Sequence, residues 1–407
     1  MKGIFVILDG VGDLPHRLLG DKTPLEVAHI PNLDFFATRG ELGYCYTVKP
    51  GYTPGSDEAI VSIFGNKLIS STRGQLELAG AGLKVTRGDL ALRANFATIG
   101  SFKKGNLLDR RVGRTLTTAE ADILSKSVNK IKMPFRFEFK STIQHRGVLV
   151  FRGGFSDNII GNDPHPYNGK FRLCKALDDE DDSQYAANVL NEFMEKVFDV
   201  LDKHPINEER RKKGLMPANF LVFRGAGSEI PKLKLYKKWV SPSYMPLEIG
   251  FSKLSGMKTV SFDYPKLKKL DAYENLHEGL HKACKFAVKT IKKYHKTFDY
   301  IYIHLKETDL PGHDNKPFEK KEMLEYIDKT LFKFLKKFAP PKKIKIVVTA
   351  DHSTPCKLSN HSADPVPVLF YNDSIPREKK FCEKEARKGV LGRMVAGELL
   401  TKVGFSK

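Results

Sequence analysis

Disulfide pairing is the first thing this sequence lacks. Its five cysteines, Cys45, Cys174, Cys284, Cys356 and Cys382, stand far apart with no paired spacing. That excludes a stapled secreted scaffold and fits reduced thiols in a cytosol. No apolar run reaches the roughly eighteen residues needed to cross a bilayer, and Met1-Lys2-Gly3 leads into an apolar strand rather than a signal peptide. The chain is therefore expected to be cytoplasmic, with no membrane partner. Internal repeats, low-complexity tracts and nucleic-acid-binding motifs are missing too. A net charge of +20 would suit a polyanion. The basic residues, however, fall in separate clusters at 210–213, 232–238, 266–269, 333–345 and 379–388. They read as a Lys-rich surface, and no specific nucleic-acid partner is expected.

What is present is a repeated design. Residues 4–8 form an apolar run that ends in Asp9; the run from Ile301 leads to Asp309 and His313; the run from Ile344 ends in Asp351-His352, with Asn360-His361 nearby. A β-branched run stopping at a carboxylate reads as a buried strand whose end carries a ligand, and open α/β sheets place ligands at that carboxyl edge. Pro311 and Gly312 predict a tight loop between Asp309 and His313. Asp351 and His352 face one site only if the backbone turns there. Pro54-Gly55-Ser56 enters a helix that stops at Gly65, with Ser56 at or near its N-cap. A helix end and an adjacent cation would stabilise an alkoxide at that position.

The length of 407 residues implies two domains, or one with a large insertion. Strand and helix alternate after residue 255: a strand at 257–262, helices at 273–294 and 321–338, a strand at 366–371 and a closing helix at 389–403. That is the signature of a largely parallel α/β sheet flanked by helices. Residues 1–72 and 250–407 are read as the metal-binding domain, and 73–249 as an inserted α+β cap rich in arginine, including Arg93, Arg110, Arg111, Arg146 and Arg224. Arginine grips carboxylate and phosphate in a bidentate way, so the cap suits a small acidic substrate. Inside it, Asn162-Asp163-Pro164-His165 is a polar turn.

Asp9, Ser56, Asp309, His313, Asp351, His352 and His361 exceed the needs of one tetrahedral ion and divide into two sets for two divalent ions. Carboxylate mixed with imidazole suits Mn²⁺ first, with Zn²⁺ and Mg²⁺ as alternatives.

These motifs carry a resemblance. Leu8-Asp9-Gly10, Thr53-Pro54-Gly55-Ser56-Asp57, Asp309-Leu310-Pro311-Gly312-His313-Asp314, Ala350-Asp351-His352 and Asn360-His361-Ser362-Ala363-Asp364 are similar to segments of the archaeal-type 2,3-bisphosphoglycerate-independent phosphoglycerate mutases of the alkaline phosphatase superfamily. In the cap, Arg93-Ala94-Asn95-Phe96, Asp109-Arg110-Arg111, His145-Arg146, Asp163-Pro164-His165 and Arg224-Gly225-Ala226-Gly227 extend the likeness. The resemblance implies an alkaline-phosphatase-like sheet and one ion on Asp309, His313 and His361. A second ion would lie on Asp9, Asp351, His352 and Ser56. It also implies attack by Ser56 on the phosphate of 3-phosphoglycerate, and return of the phosphate from phosphoserine to the other hydroxyl. Asp163, His145 and His165 become candidates for proton transfer, and Arg93, Arg110, Arg111, Arg146, His165 and Arg224 for substrate binding. One departure stands out: Ile249 occupies the place of a phosphate-binding Lys in relatives, and Lys253, one helical turn on, is the expected substitute. The competing readings are a phosphatase or phosphotransferase acting on another phosphorylated acid, and a non-catalytic basic binding protein on the same scaffold.

Overall fold

The amino-terminal apolar run forms β1 (Gly3–Leu8), buried along its whole length. Helices Pro24–Val27 and Pro31–Thr38, each opened by proline at its first position, lead to β2 (Gly40–Tyr46). After helices Ser56–Ile63 and Arg73–Gly80 come the strands of the insertion. These are β3 (Leu90–Ser101), β4 (Asn106–Asp109), β5 (Phe137–Ser141), β6 (Arg146–Phe151), the short β7 (Ile159–Ile160) and β8 (Lys175–Ala176), and β9 (Phe220–Gly227). The chain continues through β10 (Trp239–Pro242), β11 (Lys258–Val260), β12 (Tyr300–Leu305), β13 (Lys345–Thr349), β14 (Val366–Tyr371) and β15 (Gly392–Val395). The computed structural model describes residues 1–68, 73–164, 169–267 and 271–406.

Eight strands make one sheet in the order β11-β10-β12-β1-β13-β14-β2-β15. It is largely parallel, as expected; β14 alone among these strands runs against its neighbours. The strands that end near Asp9, Asp309 and Asp351 are adjacent and parallel, β1 lying between β12 and β13. Three separate sequence signals thus converge on one edge of the sheet.

The insertion has its own five-stranded antiparallel sheet, in which β3 pairs with β4, β6 and β9, and β5 pairs with β6. The long helix Asp181–Asp202 buries Leu190, Phe193, Met194 and Val197 in a hydrophobic cluster with Phe139, Phe151 and Phe223, separate from the core of the large sheet. The chain returns to the large sheet earlier than the boundary at 249 anticipates, because β10 pairs with β11 and β12.

Three other expectations change. The 389–403 segment is not one helix: Gly392–Val395 adds to the edge strand β2, and only Ala396–Lys402 is helical. The 321–338 helix begins at Pro317 and is interrupted by a wide turn at Asp328–Phe332. There the buried Asp328 carboxylate accepts from the backbone N–H of Asn32 and Leu33 at 3.0 and 2.7 Å, capping the helix Pro31–Thr38. Lastly, Asp309–His313 is a short helical turn rather than a loop. Pro311 is its third residue, where a backbone N–H has no intrahelical acceptor to lose. The glycine is still required, since a Cβ on Gly312 would meet the Thr354 carbonyl at 2.4 Å.

Among the described residues no helix is long and apolar enough to cross a membrane, and all five cysteines are free and buried.

Candidate active site

Ser56 is the first residue of its helix; Gly55 is the N-cap, and the Glu58 carboxylate accepts from the Gly55 N–H at 2.9 Å. The capping role expected of Ser56 is therefore taken by its neighbour, and the hydroxyl stands outside the cap at the positive end of the helix dipole. The helix is pinned to the sheet by Phe64, whose ring packs on Phe5, Trp239, Phe251 and Tyr302 with centroids 5.0–5.7 Å apart. Such aromatic pairs add about 0.5–1.5 kcal/mol each beyond burial. The nucleophile is thus seated on the core.

The expected ligands form two groups, Asp309–His313–His361 and Asp9–Asp351–His352, with ligand atoms in each group within 4.8 Å of one another. His313 Nε2 lies 3.4 Å from Asp309 Oδ2, and His361 Nε2 lies 3.8 Å from Asp309 Oδ1. His352 Nε2 is 3.4 Å from both Asp9 and Asp351, and 3.2 Å from Ser56 Oγ. The rings of His352 and His361 stack with centroids 3.7 Å apart, so the two groups share a wall.

The hydrogen bonds fix which ring nitrogen is free. His361 Nδ1 faces the Pro54 carbonyl at 2.9 Å and His313 Nδ1 the Ser359 carbonyl at 3.3 Å. A carbonyl only accepts, so each Nδ1 carries the proton. Thr354 gives its single hydroxyl proton to Asp309 Oδ1 at 2.7 Å, so its contact with His352 Nδ1 at 3.0 Å must be one it accepts. In their neutral forms all three imidazoles therefore turn an unprotonated Nε2 towards the carboxylates, and at His313 Asp309 favours a second proton there until a cation displaces it. Burial pulls His352 down to about 3 and lowers His361. Burial pushes Asp309 and Asp351 up, but the neighbouring cationic groups outweigh it and hold both carboxyls below their ordinary range. His313, opposite Asp309, is raised despite its burial. Asp9 Oδ1 and Asp351 Oδ2 are buried without a hydrogen-bond partner, and Asp9 Oδ2 is held by its ion pair with Lys306. Oriented imidazoles and orphaned carboxylate oxygens are the donor set that a divalent cation requires, so the residues present fit two such ions. Gly10 belongs to this packing: its φ is +60°, and a Cβ there would meet Thr354 Oγ1 and Asp309 Oδ1 at 2.6 and 2.7 Å.

Sequence reasoning missed part of the site. Glu248 and His304 are both buried and form a further group with Asp9; His304 Nε2 is 3.3 Å from Asp9 Oδ2. Lys306 ion-pairs with Asp9 and lies 3.0 Å from Glu248. The available signal was alternation: His304 and Lys306 are two apart at the end of β12, so they share a face, and a histidine inside a buried strand run needs a partner. Burial pushes Glu248 up to about 8 and His304 down to about 4.

Above the sheet edge, a cavity of about 210 Å³ is lined by Ser56, Lys306, Asp309, His313 and His361 on one side, and by the insertion on the other. Arg93, Arg110, Arg111, Arg146, Arg224 and His145 all line it, where the sequence expected them. Strand register explains three of these, since β3 pairs Arg93 with Arg224 on β9 and Asn95 with Arg146 on β6. Arg73 and Arg114, which were not singled out, join them. Burial and mutual repulsion hold Arg93 well below the usual range and bring Arg111 and Arg224 to about 10. A bound anion relieves that repulsion. His145 is buried with Nδ1 unpartnered; burial, then Arg146, keep it neutral.

Two nominated residues do not reach the cavity. Asp163 is buried behind the arginines, its Oδ1 accepting from Arg110 at 2.7 Å and its Oδ2 3.6 Å from Arg224. It therefore anchors guanidinium groups instead of facing substrate. Lys253 is exposed. Like Ile249 it is not among the residues that line the cavity, which touches this helix only at its N-terminal turn, Met245 to Glu248. His165 lies outside the described residues.

The fold and site define a class: an α/β protein with two carboxylate–imidazole ligand clusters and a serine at the carboxyl edge of its sheet, beneath an arginine-lined insertion. The profile of the family described as 2,3-bisphosphoglycerate-independent phosphoglycerate mutase matches residues 37–207. Mutases of that name from Pyrococcus furiosus and Thermococcus kodakarensis are 41% and 39% identical, covering 97% and 98% of this chain and 94% and 95% of theirs. A solved Pyrococcus horikoshii protein superimposes with a TM-score of 0.75 at 31% identity, covering 100% of this chain and 98% of that one. The cofactor-independent phosphoglycerate mutase from Thermoplasma acidophilum gives 0.56 at 26% identity, covering 98% of each. The chain belongs to the 2,3-bisphosphoglycerate-independent phosphoglycerate mutase family.

Proposed function

We propose that this chain interconverts 3-phosphoglycerate and 2-phosphoglycerate through a phosphoserine at Ser56. The observation that carries the reading is the position of Ser56 Oγ. It sits at a helix N-terminus, 3.2 Å from His352 Nε2, on the floor of a cavity walled by arginines. Asp309, His313 and His361 would hold one divalent ion, and Asp9, Asp351, His352 and Ser56 the other, with Mn²⁺ assigned first. When bound, such ions lower the pKa of a coordinated hydroxyl and neutralise charge developing on phosphorus.

The remaining work falls to the chain. Arginines from β3, β6 and β9 hold the substrate's carboxylate and phosphate, and Asp163 holds Arg110 and Arg224 in place. The buried neutral His145 sits on the cavity wall, where it can pass a proton to and from a glycerate hydroxyl. The Arg114 guanidinium, from the insertion, pairs with both oxygens of Asp314 at 2.5 and 2.8 Å, next to His313, and Tyr273 donates to the same carboxylate at 2.8 Å. This bond ties the insertion to the metal-site turn. A closed cavity keeps water from the phosphoserine and separates a mutase from a phosphatase. We assign the insertion as a substrate-binding cap and place the protein in the cytoplasm, where a soluble phosphorylated acid and five free thiols are both at home. The test is a coupled assay with 3-phosphoglycerate and Mn²⁺. Formation of 2-phosphoglycerate supports the reading, and release of inorganic phosphate in its place rejects it.

A further inference from the structure

Among the described residues, the cavity is lined by many arginines but by one lysine, Lys306. It follows β12 directly, on the face that carries His304, and its side chain is mostly buried. Its Nζ donates to Ser56 Oγ at 3.3 Å and lies 3.0 Å from Glu248 Oε1 and 3.9 Å from Asp351 Oδ2, besides its ion pair with Asp9. Three buried carboxylates thus anchor one ammonium beside the nucleophile. Among the described residues no arginine of the insertion hydrogen-bonds to Ser56.

We infer that Lys306 is a catalytic residue that grips the transferring phosphoryl group, performing from the end of β12 the task expected of Lys253. The inference rests on the phosphoserine reading above. Ser56 Oγ gives up its proton and bonds to phosphorus as the P–O bond to glycerate breaks; the bonding pair leaves with the glycerate oxygen, which takes up one proton, so the proton lost at Oγ balances the one gained. Lys306 keeps its own proton and forms no covalent bond. A phosphoryl group on Oγ carries its non-bridging oxygens into the space next to that atom, where the ammonium already points. Glu248, which holds no ion in the reading above, keeps the ammonium beside Oγ when Asp9 and Asp351 turn to theirs, so little reorganisation is needed when charge develops.

The test uses the full-length protein with Lys306→Met and Lys306→Arg. Binding of the metal ion alone and of inorganic phosphate to the metal-loaded protein is measured by calorimetry, alongside turnover of 3-phosphoglycerate. Lys306→Met should bind the metal ion at least as tightly as wild type, since a competing cation is gone. It should bind inorganic phosphate about tenfold or more weakly, and its kcat should fall by about 10²–10³-fold. Lys306→Arg should recover part of both. Wild-type phosphate affinity and kcat in Lys306→Met would overturn the inference and leave Lys306 as a neutraliser of Glu248 and Asp9. A second measurement does not depend on the variant folding: in wild-type protein loaded with Mg²⁺, the ¹⁵Nζ resonance of Lys306 should move on addition of inorganic phosphate. An unmoved resonance overturns the inference. Phosphate binding that depends on Lys306 in a protein that makes no 2-phosphoglycerate would sink the mutase reading and leave this one standing.

Discussion

Replacing Thr354 by Val tests how the two ligand groups are held together. Thr354 is fully buried, donates to Asp309 Oδ1 at 2.7 Å and accepts from His352 Nδ1 at 3.0 Å. One hydroxyl therefore orients a ligand of each ion. Valine has nearly the same shape, so packing against Gly10 and Gly312 is kept while both hydrogen bonds are lost. Losing a buried hydrogen bond to a charged group costs about 1.5–3 kcal/mol, and the hydrogen-bond partners that orient metal ligands are worth about 10–100-fold in affinity or activity. Calorimetric titration with Mn²⁺ should then show both binding events weakened by about 10–100-fold, together with a comparable fall in kcat. Thr354→Ser, which restores the hydroxyl, should bind within a few-fold of wild type. If Thr354→Val binds both ions with wild-type affinity, the argument that fixes the imidazole tautomers is wrong. If one event alone weakens, the hydroxyl serves one ligand group and the shared-wall description fails.

Other perturbations give separate expectations. Arg114→Met breaks the bidentate pair with Asp314 that ties the insertion to the metal-site turn, and should raise KM for 3-phosphoglycerate and increase release of inorganic phosphate relative to mutase product; an unchanged ratio of products counts against a closed-cavity role. Burial raises the Glu383 carboxyl to about 7 despite bonds from Thr23 and the Asp13 N–H. A raised acid stabilises the fold fully below its unfolded pKa, and that contribution is lost as pH rises through the folded value. Relative to Glu383→Gln, which stays neutral, wild type should lose about 2–3 kcal/mol between about pH 5 and 8, read from urea midpoints; parallel pH profiles would refute it. Lys320→Met leaves the fully buried Asp13 carboxylate without its cation, 2.8 Å away in wild type, and should destabilise by about 3–5 kcal/mol in thermal or urea unfolding; a change below 1 kcal/mol would show that Cys356 and water suffice for Asp13.

The parts of the site that could be read from the sequence were those in which a local pattern carries the chemistry. Asp9 and Asp351 close apolar runs, so a buried strand and its polar end are visible together. That β1 lies between β12 and β13 is a matter of long-range pairing, which no local pattern encodes, and it is what unites the ligands. The same limit hid β15, whose strand conformation comes from pairing with β2. Proline was over-read at Pro311, because a ring that breaks a helix interior is harmless in a first turn. Lys253 was nominated from spacing along a helix without knowledge of which turn of it meets the cavity. His304 and Lys306 were passed over because a polar residue in an apolar strand carries no motif, and their meaning arises from the carboxylates of β1 and of the helix Pro246–Leu254 beside them. The arginines were legible as a composition bias; that Arg93 and Arg224 face one another required the register of β3 with β9.

In the proposed reaction Ser56 carries the phosphoryl group between the two hydroxyls of glycerate. The direct measurement is rapid quench of the Mn²⁺-loaded protein with either 3-phosphoglycerate or 2-phosphoglycerate, followed by mass mapping of the phosphorylated residue, with Ser56→Ala in parallel. One phosphoryl group is expected on Ser56 from either substrate, and neither label nor interconversion in Ser56→Ala. Turnover retained by Ser56→Ala, or a label on any other residue, would contradict it.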